Sequence, residues 1–285
     1  ADEVMKLWQG LGYYSRARNL HETAKYVANE LGGKFPSDYK GLLKLKGVGD
    51  YTASAIASIC YNEPVAVVDG NVYRVLSRIF GIDTPINSTA GIKEFKNLAQ
   101  ELLDKKDPAT FNQAIMEFGA LHCKPQNPLC ESCPFNDKCL ALKDGRIKEL
   151  PVKLKKSKVK HRYFNYLVFN LENTETVLEQ RSGKGIWNGL YQFPLVESEK
   201  PVDLDELKQV DTFRDMVENR AYLVELFNEE PVIHKLSHQH LHTRFWLINM
   251  KEVKERTIAF EEVLQYPVPV LIGNFLNEFL PDEYK

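Results

Sequence analysis

A multidomain chain, with an all-α module ahead of a smaller α+β module, is what these 285 residues should form. Three features carry that expectation. The first half places apolar residues at helical spacing, with Gly, Pro or Asp breaks between the runs. The second half turns to short aromatic and β-branched runs of the kind strands use. Between them, residues 142–160 are rich in Lys and contain Pro151, as an exposed connection would be. At 44% hydrophobic residues the chain can bury substantial cores, and its length suggests two of them.

The helical runs are 15–31, 37–46, 50–60, 71–80, 91–104 and 108–122. In NVYRVLSRIF (71–80), Val72, Val75, Leu76 and Ile79 share one face, while Arg74 and Arg78 fall four apart on another. The strand-like runs are 163–171 (YFNYLVFNL), 176–179, 193–196 and 243–250 (TRFWLINM), with helical pieces near 203–226 and 270–280. The modules are therefore placed at 1–142 and 161–285, with a basic linker over 143–160.

The net charge of −2 hides an asymmetry. Residues 1–140 carry 16 basic and 16 acidic side chains, residues 141–162 carry 9 and 2, and residues 163–285 carry 12 and 21. A basic bridge between a neutral and an acidic module suits a polyanion-tracking surface and, equally, a soluble linker. No apolar run approaches the roughly 18 residues a membrane span needs. No charged-then-apolar leader precedes a small-residue cleavage site. The first residue is Ala1 rather than Met, as in a fragment or a processed chain.

Cys123, Cys130, Cys133 and Cys139 follow the pattern C-x6-C-x2-C-x5-C, and the chain otherwise has only Cys60. Thiols this dense read as metal ligands: four thiolates can close a tetrahedral zinc site or hold a four-iron cubane. A pair of disulfides is the competing reading, but the chain lacks the marks of a small, disulfide-dense secreted domain. Spacing alone leaves zinc and iron–sulfur open, although zinc sites more often show two C-x2-C pairs and this chain has one. Lys124 and Lys138 suit a loop docking on phosphate or a plain solvated surface.

Gly47 and Gly49 flank Val48 in LKGVGDYT (45–52), a tight turn between two amphipathic helices. Glycine there permits positive φ and leaves the N–H groups uncovered. Those groups lie at the start of the helix beginning near Asp50, where the dipole favours an anion. Gly47, Val48 and Gly49 are thus candidate DNA-phosphate contacts, though an ordinary helical hairpin would read the same. Beyond it, VVDGN (67–71) sets Asp69 just ahead of another helix. Asp69 can be a plain helix cap. It can also steady a cationic transition state or attack a sugar carbon.

The run LWQGLGYYSRARNL (7–20), the hairpin LKGVGDYTASAI, the segment VDGNVYRVLSR and the four-cysteine pattern resemble, in that order, MutY-type adenine DNA glycosylases. These belong to the helix-hairpin-helix superfamily that includes endonuclease III. The resemblance implies an all-α glycosylase domain over 1–142, with the helix-hairpin-helix near 37–60. It also implies a cluster loop over 123–139, in which the four cysteines hold a [4Fe–4S] cluster. Excision of adenine opposite 8-oxoguanine or guanine would then proceed by flipping the nucleotide out of the stack. On this resemblance Asp69 stabilises or captures an oxocarbenium-like sugar, and Tyr51 and Asn71 line the site and hold aspartate and sugar. Gln113 matches a position that contacts the extruded purine; taken alone it is equally a solvated helix residue. Tyr51 stands where endonuclease III has its Schiff-base lysine, so a monofunctional glycosylase is expected. The family's general-acid Glu and the residues that wedge into the duplex fall upstream of residue 1. This chain is therefore expected to bind its target more readily than it cleaves it, and to be inactive as a fragment.

In the second module, GIWNGLYQFP (185–194) resembles the family's Nudix-like C-terminal domain. The acidic box of a Nudix hydrolase does not follow over 197–230, so the resemblance implies lesion recognition rather than hydrolysis. LSHQHL (236–241) is similar to the family's F-S-H-x-x-L loop, with Leu236 in place of Phe. It assigns Ser237 and His238 to 8-oxoguanine, a task that suits a hydroxyl able to donate or accept. His234, His238, His240 and His242 read as a polar strand face or phosphate contacts rather than a metal site; Trp187 and Phe193 read as core. The implied partner is double-stranded DNA carrying 8-oxoguanine·adenine or guanine·adenine mispairs. The chain would act as a monomer, off the membrane, at the nucleoid in a bacterial cytoplasm. Three other readings remain: a redox-sensing, non-catalytic DNA-binding module, an endonuclease III-like glycosylase/lyase, and a zinc-stabilised helical adaptor. Tyr51 and the second module argue against the glycosylase/lyase.

Overall fold

A computed structural model describes residues 1–155, 159–218 and 220–281. Contacts divide the chain into two compact units, Glu22–Lys156 and a discontinuous one made of Ala1–His21 with Ser157–Lys285. The first 21 residues, expected among the helices, thus belong with the α+β half. The cause is apolar: Met5, Tyr14 and Ala17 are buried in the core of that half. Lys6 Nζ adds hydrogen bonds to the carbonyls of Leu264 (2.5 Å) and Tyr266 (3.2 Å).

The helices run α1 (Asp2–Leu7), α2 (Ser15–Glu30), α3 (Tyr39–Leu42), α4 (Asp50–Tyr61), α5 (Gly70–Phe80), α6 (Thr89–Leu102) and α7 (Pro108–Glu117). A π-helical turn, Phe118–His122, and α8 (Leu140–Lys143) follow. Caps explain several of the starts. Asp38, Asp69, Ser88 and Asp107 each accept a hydrogen bond from a backbone N–H of the first turn. α3 is shorter than the expected 37–46. The N–H groups of Lys44 and Leu45 bond to carbonyls only three residues back, so the chain leaves the α-helix for tighter turns. The expected helix 108–122 is likewise α-helical only to Glu117. Val72 and Leu76 of α5 pack with Val68, Phe95 and Ala99 into a core of the helical unit.

The other unit is built on two 12-residue strands, β1 (Lys160–Leu171) and β8 (Gln239–Met250), which pair in parallel from Lys160 opposite Gln239 to Leu171 opposite Met250. Between them in sequence lie β2 (Glu175–Val177), β3 (Glu179–Gln180), β4 (Tyr191–Gln192), β5 (Leu195–Ser198), α9 (Leu204–Lys208), α10 (Asp211–Val217), β6 (Tyr222–Leu226) and β7 (Val232–Lys235). β9 (Thr257–Ala259), α11 (Phe260–Val263) and α12 (Val270–Phe279) follow. β5 and β2 pair along the outer side of β1, β6 and β7 along the outer side of β8, and β9 extends β2. β3 and β4 form a separate two-stranded ribbon. Alternation sorts the core onto two faces. Phe164, Tyr166, Val168, Leu241 and Phe245 pack with α12, while Leu167, Phe169, Trp246 and Ile248 pack with α10. Trp187 and Phe193 are buried as read from the sequence. The helical pieces expected near 203–226 are α9 and α10, which end at Val217, while Tyr222–Leu226 is strand β6 instead.

Candidate functional site

Asp69 is built into the start of α5. Its Oδ1 accepts from the backbone N–H groups of Asn71 and Val72, both at 2.8 Å, and its Oδ2 accepts from the Asn71 side-chain amide at 2.9 Å. The residue is therefore a helix cap and, at the same time, a carboxylate held in one orientation. The segment leading to it is fixed by side chains that the sequence did not single out. Asn112, fully buried, accepts from the Val67 N–H (3.0 Å) and donates to the Val65 carbonyl (2.9 Å) and Ser58 Oγ (3.0 Å). Gln100 brackets the Ala66 N–H and the Pro64 carbonyl. Lys96 Nζ spends three donors on Asp50 Oδ2, Ser54 Oγ and the Ala66 carbonyl.

Tyr51 (48% exposed) stands on the first turn of α4, and Gln113 is exposed on α7. Among the described residues, neither hydrogen-bonds to Asp69. The structure brings Asp69 and Asn71 together and leaves Tyr51 and Gln113 on open surface. A nearby groove of ≈ 340 Å³ is lined by Asp50, Val68, Tyr73, Ile92 and Lys96, and Asp69 is not one of its walls. There the Asp50 carboxylate accepts from the Tyr39 hydroxyl, and that bond, with some burial, pushes the Tyr39 pKa up to about 12.

In the hairpin turn, Gly47 has φ +77, a conformation side chains rarely adopt. Gly49 departs from expectation. At φ −91 and ψ −178 it is an extended N-cap residue for α4, with no need of glycine's conformational freedom. The Val48 N–H is already bonded to the Leu45 carbonyl, while Gly47 and Gly49 lie exposed beside the N-terminus of α4.

The four cysteines converge on one cavity, together with His122 and the apolar side chains of Ile79, Phe118, Leu129, Leu142 and Ile147. All four thiols are free. Burial first, and then the neighbouring cysteines, hold the Cys130 thiol above its ordinary pKa; burial also raises that of Cys139. Four thiolates in an apolar pocket need a positive counter-charge. Among the described residues no three His, Cys, Asp or Glu groups are gathered tightly enough to hold a single metal ion; by donor chemistry, four thiols on one cavity suit a cluster of the iron–sulfur kind, whose thiolates meet different irons. Two buried arginines of α5 serve this region, and the sequence reading gave neither a role. Arg78 Nη1 donates to the Cys123 thiol (3.4 Å) and the Lys124 carbonyl (2.8 Å), and its Nε to the Leu150 carbonyl (3.1 Å). Arg74 bridges the two sites: Nε donates to the Cys123 carbonyl (2.7 Å), and Nη2 to the Gly119 carbonyl (2.6 Å) and Asn71 Oδ1 (2.8 Å). The 3.6-residue spacing of Arg74 and Arg78 was visible; their burial was not.

In the α+β unit, a cavity of ≈ 510 Å³ is lined by Leu11, Tyr13, Arg18, Trp187, Ser237 and His238 among others. Ser237 Oγ and His238 Nδ1 lie 3.5 Å apart. Tyr13 is 74% exposed and sits at φ +48, an uncommon conformation for a bulky residue and one often found at functional sites. Arg16 stacks over the Trp8 and Tyr13 rings at 5.6 and 5.3 Å. The histidines do not act as one group. His240 and His242 share a sheet face with His161, whose Nδ1 lies 2.8 Å from His242 Nε2. His234 turns towards Trp187 (ring centroids 5.6 Å), and burial lowers its pKa.

Comparison with known proteins agrees on a helical part followed by an α+β part, but it groups residues 1–21 with the helical part. Residues 1–112 match the HhH-GPD superfamily of base excision DNA repair proteins, and residues 165–278 match the NUDIX domain. The fold is thus that of a helix-hairpin-helix repair protein carrying a Nudix-like domain. The chain is 31% identical to the adenine DNA glycosylase of Buchnera aphidicola subsp. Schizaphis graminum (strain Sg) over 254 residues, 89% of this chain and 70% of that one. It belongs to the adenine DNA glycosylase family. It is also 41% identical to the Arabidopsis thaliana adenine DNA glycosylase over 207 residues (68% of this chain). With the Mus musculus adenine DNA glycosylase it shares 49% identity over 154 residues (53% of this chain). The chain spans 33% and 30% of the lengths of those two relatives. Among solved structures it is similar to a thermostable thymine-DNA glycosylase, with a TM-score of 0.46 and 34% identity over 50% of this chain and 65% of that one.

Proposed function

We propose that this chain is part of a protein that acts in DNA base-excision repair, hydrolysing the N-glycosidic bond of adenine mispaired with 8-oxoguanine or guanine in double-stranded DNA, and that these residues on their own bind such a site more readily than they cleave it. The protein acts as a monomer, in the nucleoid of a bacterial cytoplasm. The observation that carries this reading is the doubly anchored carboxylate of Asp69. As the glycosidic bond parts, the sugar takes on oxocarbenium character, and a fixed anion stabilises that charge without first having to reorganise. Asn71 and the first turn of α5 keep the carboxylate from swinging away. Tyr51 has no amine to form a Schiff base with the sugar, which supports simple hydrolysis. Gly47 and Gly49 offer uncrowded backbone at the start of α4 for a DNA phosphate. Gln113 is free to meet the extruded purine. Ser237 and His238, on one cavity wall with the exposed Tyr13, support recognition of the base opposite adenine.

Cys123, Cys130, Cys133 and Cys139 hold a [4Fe–4S] cluster, which, when bound, supplies the positive charge that four converging thiolates require. The test of the main reading is Asp69→Asn in the full-length gene product. Asparagine caps helices as well as aspartate does, so the melting temperature and lesion binding should stay close to wild type. Single-turnover base release should fall by on the order of 10²–10³-fold, the loss seen when one preorganised electrostatic contact is removed. A retained rate defeats the assignment.

A further inference from the structure

We propose that His122 is a hydrogen-bond donor to a sulfur of the four-cysteine centre and raises the reduction potential of the cluster held there. The inference rests on the cluster reading given above. His122 closes the π-helical turn Phe118–His122, immediately before Cys123. π-turns insert an extra residue and are frequent at functional sites, because they re-aim the side chains that follow. Here the turn lays the imidazole flat on Phe118, with ring centroids 5.1 Å apart and planes 14° off parallel. Phe118 is itself propped edge-on by Phe135 at 5.5 Å. The ring is thereby held against the wall of the cavity that the four thiols also line.

Among the described residues its buried Nε2 has no hydrogen-bond partner, the four cysteine sulfurs included, so the acceptor it awaits arrives with the cluster. Burying a polar nitrogen unpaired is unfavourable enough that native structures seldom do it without a reason. The neighbouring side chains on the cavity wall are mainly apolar: Ile79, Leu129, Leu142 and Ile147. Asn136 also lines the wall, and the other side-chain acceptors gathered there are the four sulfurs. Arg78 Nη1 already donates to the Cys123 sulfur at 3.4 Å, so one of these sulfurs accepts from a side-chain N–H even without a cluster. His122 supplies a second donor, from a ring that stacking prevents from rotating freely.

A donor aimed at a ligand sulfur stabilises whichever cluster state is more negative, and that is the reduced one. The couple gains one electron, no bond is made or broken, and the N–H proton stays on the imidazole throughout. Removing the donor therefore lowers the potential.

The experiment uses the full chain with iron and sulfide bound, and compares His122→Phe, a ring without a donor, with His122→Gln, a donor without a ring. Voltammetry at an electrode supplies the electron. At the wild-type midpoint, His122→Phe is expected to move the oxidised-to-reduced ratio about tenfold towards oxidised, a shift of ~59 mV for one electron, while His122→Gln recovers most of it. In unaltered protein labelled with [15N]histidine, pulsed EPR of the paramagnetic state is expected to show coupling to the 15N. This measurement decides the question even where neither variant folds. Equal potentials in all three proteins, or no 15N coupling, overturn the role of His122 and leave the cluster reading intact. Protein that binds zinc in place of iron and sulfide overturns both.

Discussion

Asp69 spends one carboxylate oxygen on two backbone N–H groups and the other on a side-chain amide, so capping and positioning are one act. The sequence offered these as alternatives because a cap and a fixed anion use the same residue at the same place. Only the Asn71 amide, three bonds out along its side chain, shows that both are realised. The same neighbourhood explains why position 119 is glycine. A Cβ there would lie 2.7 Å from Asn71 Cβ and 3.1 Å from the Asn71 carbonyl oxygen. Gly119→Ala should destabilise the helical unit by about 1–3 kcal/mol, the usual cost of overpacking. It should also slow base release by displacing the Asn71 amide, while binding to undamaged duplex stays unchanged. Thermal melts and single-turnover kinetics on the same preparation separate these effects. The glycine itself was readable; its neighbour, 48 positions earlier in the chain, was not.

Among the elements, α5 was the most legible, because Val72, Val75 and Leu76 recur at helical spacing and all three are buried. Its arginines were the least legible. Arg74 and Arg78 are buried as well, and the carbonyls of Gly119, Cys123 and Lys124 are among the acceptors that satisfy them there. Charge at helical spacing cannot announce a partner 45 residues away. The short strands β6 and β7 escaped for a different reason: neither has a fully buried residue, and both borrow their order from β8. The extended segment before Asp69 has no ladder at all and depends on side chains. Asn112→Ala would leave the Val67 N–H and the Val65 carbonyl without partners, costing about 2–3 kcal/mol. Base release should fall with it, as the approach to Asp69 loosens. Unchanged melting would show that the segment orders itself without Asn112.

At the level of the whole chain, the two units can be watched separately. All three tryptophans, Trp8, Trp187 and Trp246, belong to the discontinuous unit, and all four clustered cysteines belong to the helical one. Stripping the proposed cluster with a chelator, or Cys139→Ala, should therefore reduce helical circular dichroism while leaving the tryptophan emission maximum in place. A red-shifted emission would refute that independence. The tryptophans also report on pH. Burial depresses the His234 pKa, so below about pH 6.5 the unfolded chain takes up a proton that the folded unit resists. Stability of this unit should consequently fall as pH drops through that range and level off below the folded pKa. His234→Gln should flatten the profile, and a profile that keeps its slope would assign the effect elsewhere.

The helical unit is contained within a single continuous stretch, whereas its neighbour is stitched together from the two ends of the chain. A ribosome delivers Met5 and Tyr14 long before Phe164 or Phe275, the side chains that share their core. β1 must likewise wait some eighty residues for β8. During synthesis the inserted helices can close as soon as they emerge, but the sheet can finish only when the last helix has left the exit tunnel. Until that moment Met5, Tyr14 and Ala17 lack the later side chains that bury them in the folded chain, and transiently exposed apolar surface of that kind is what chaperones engage.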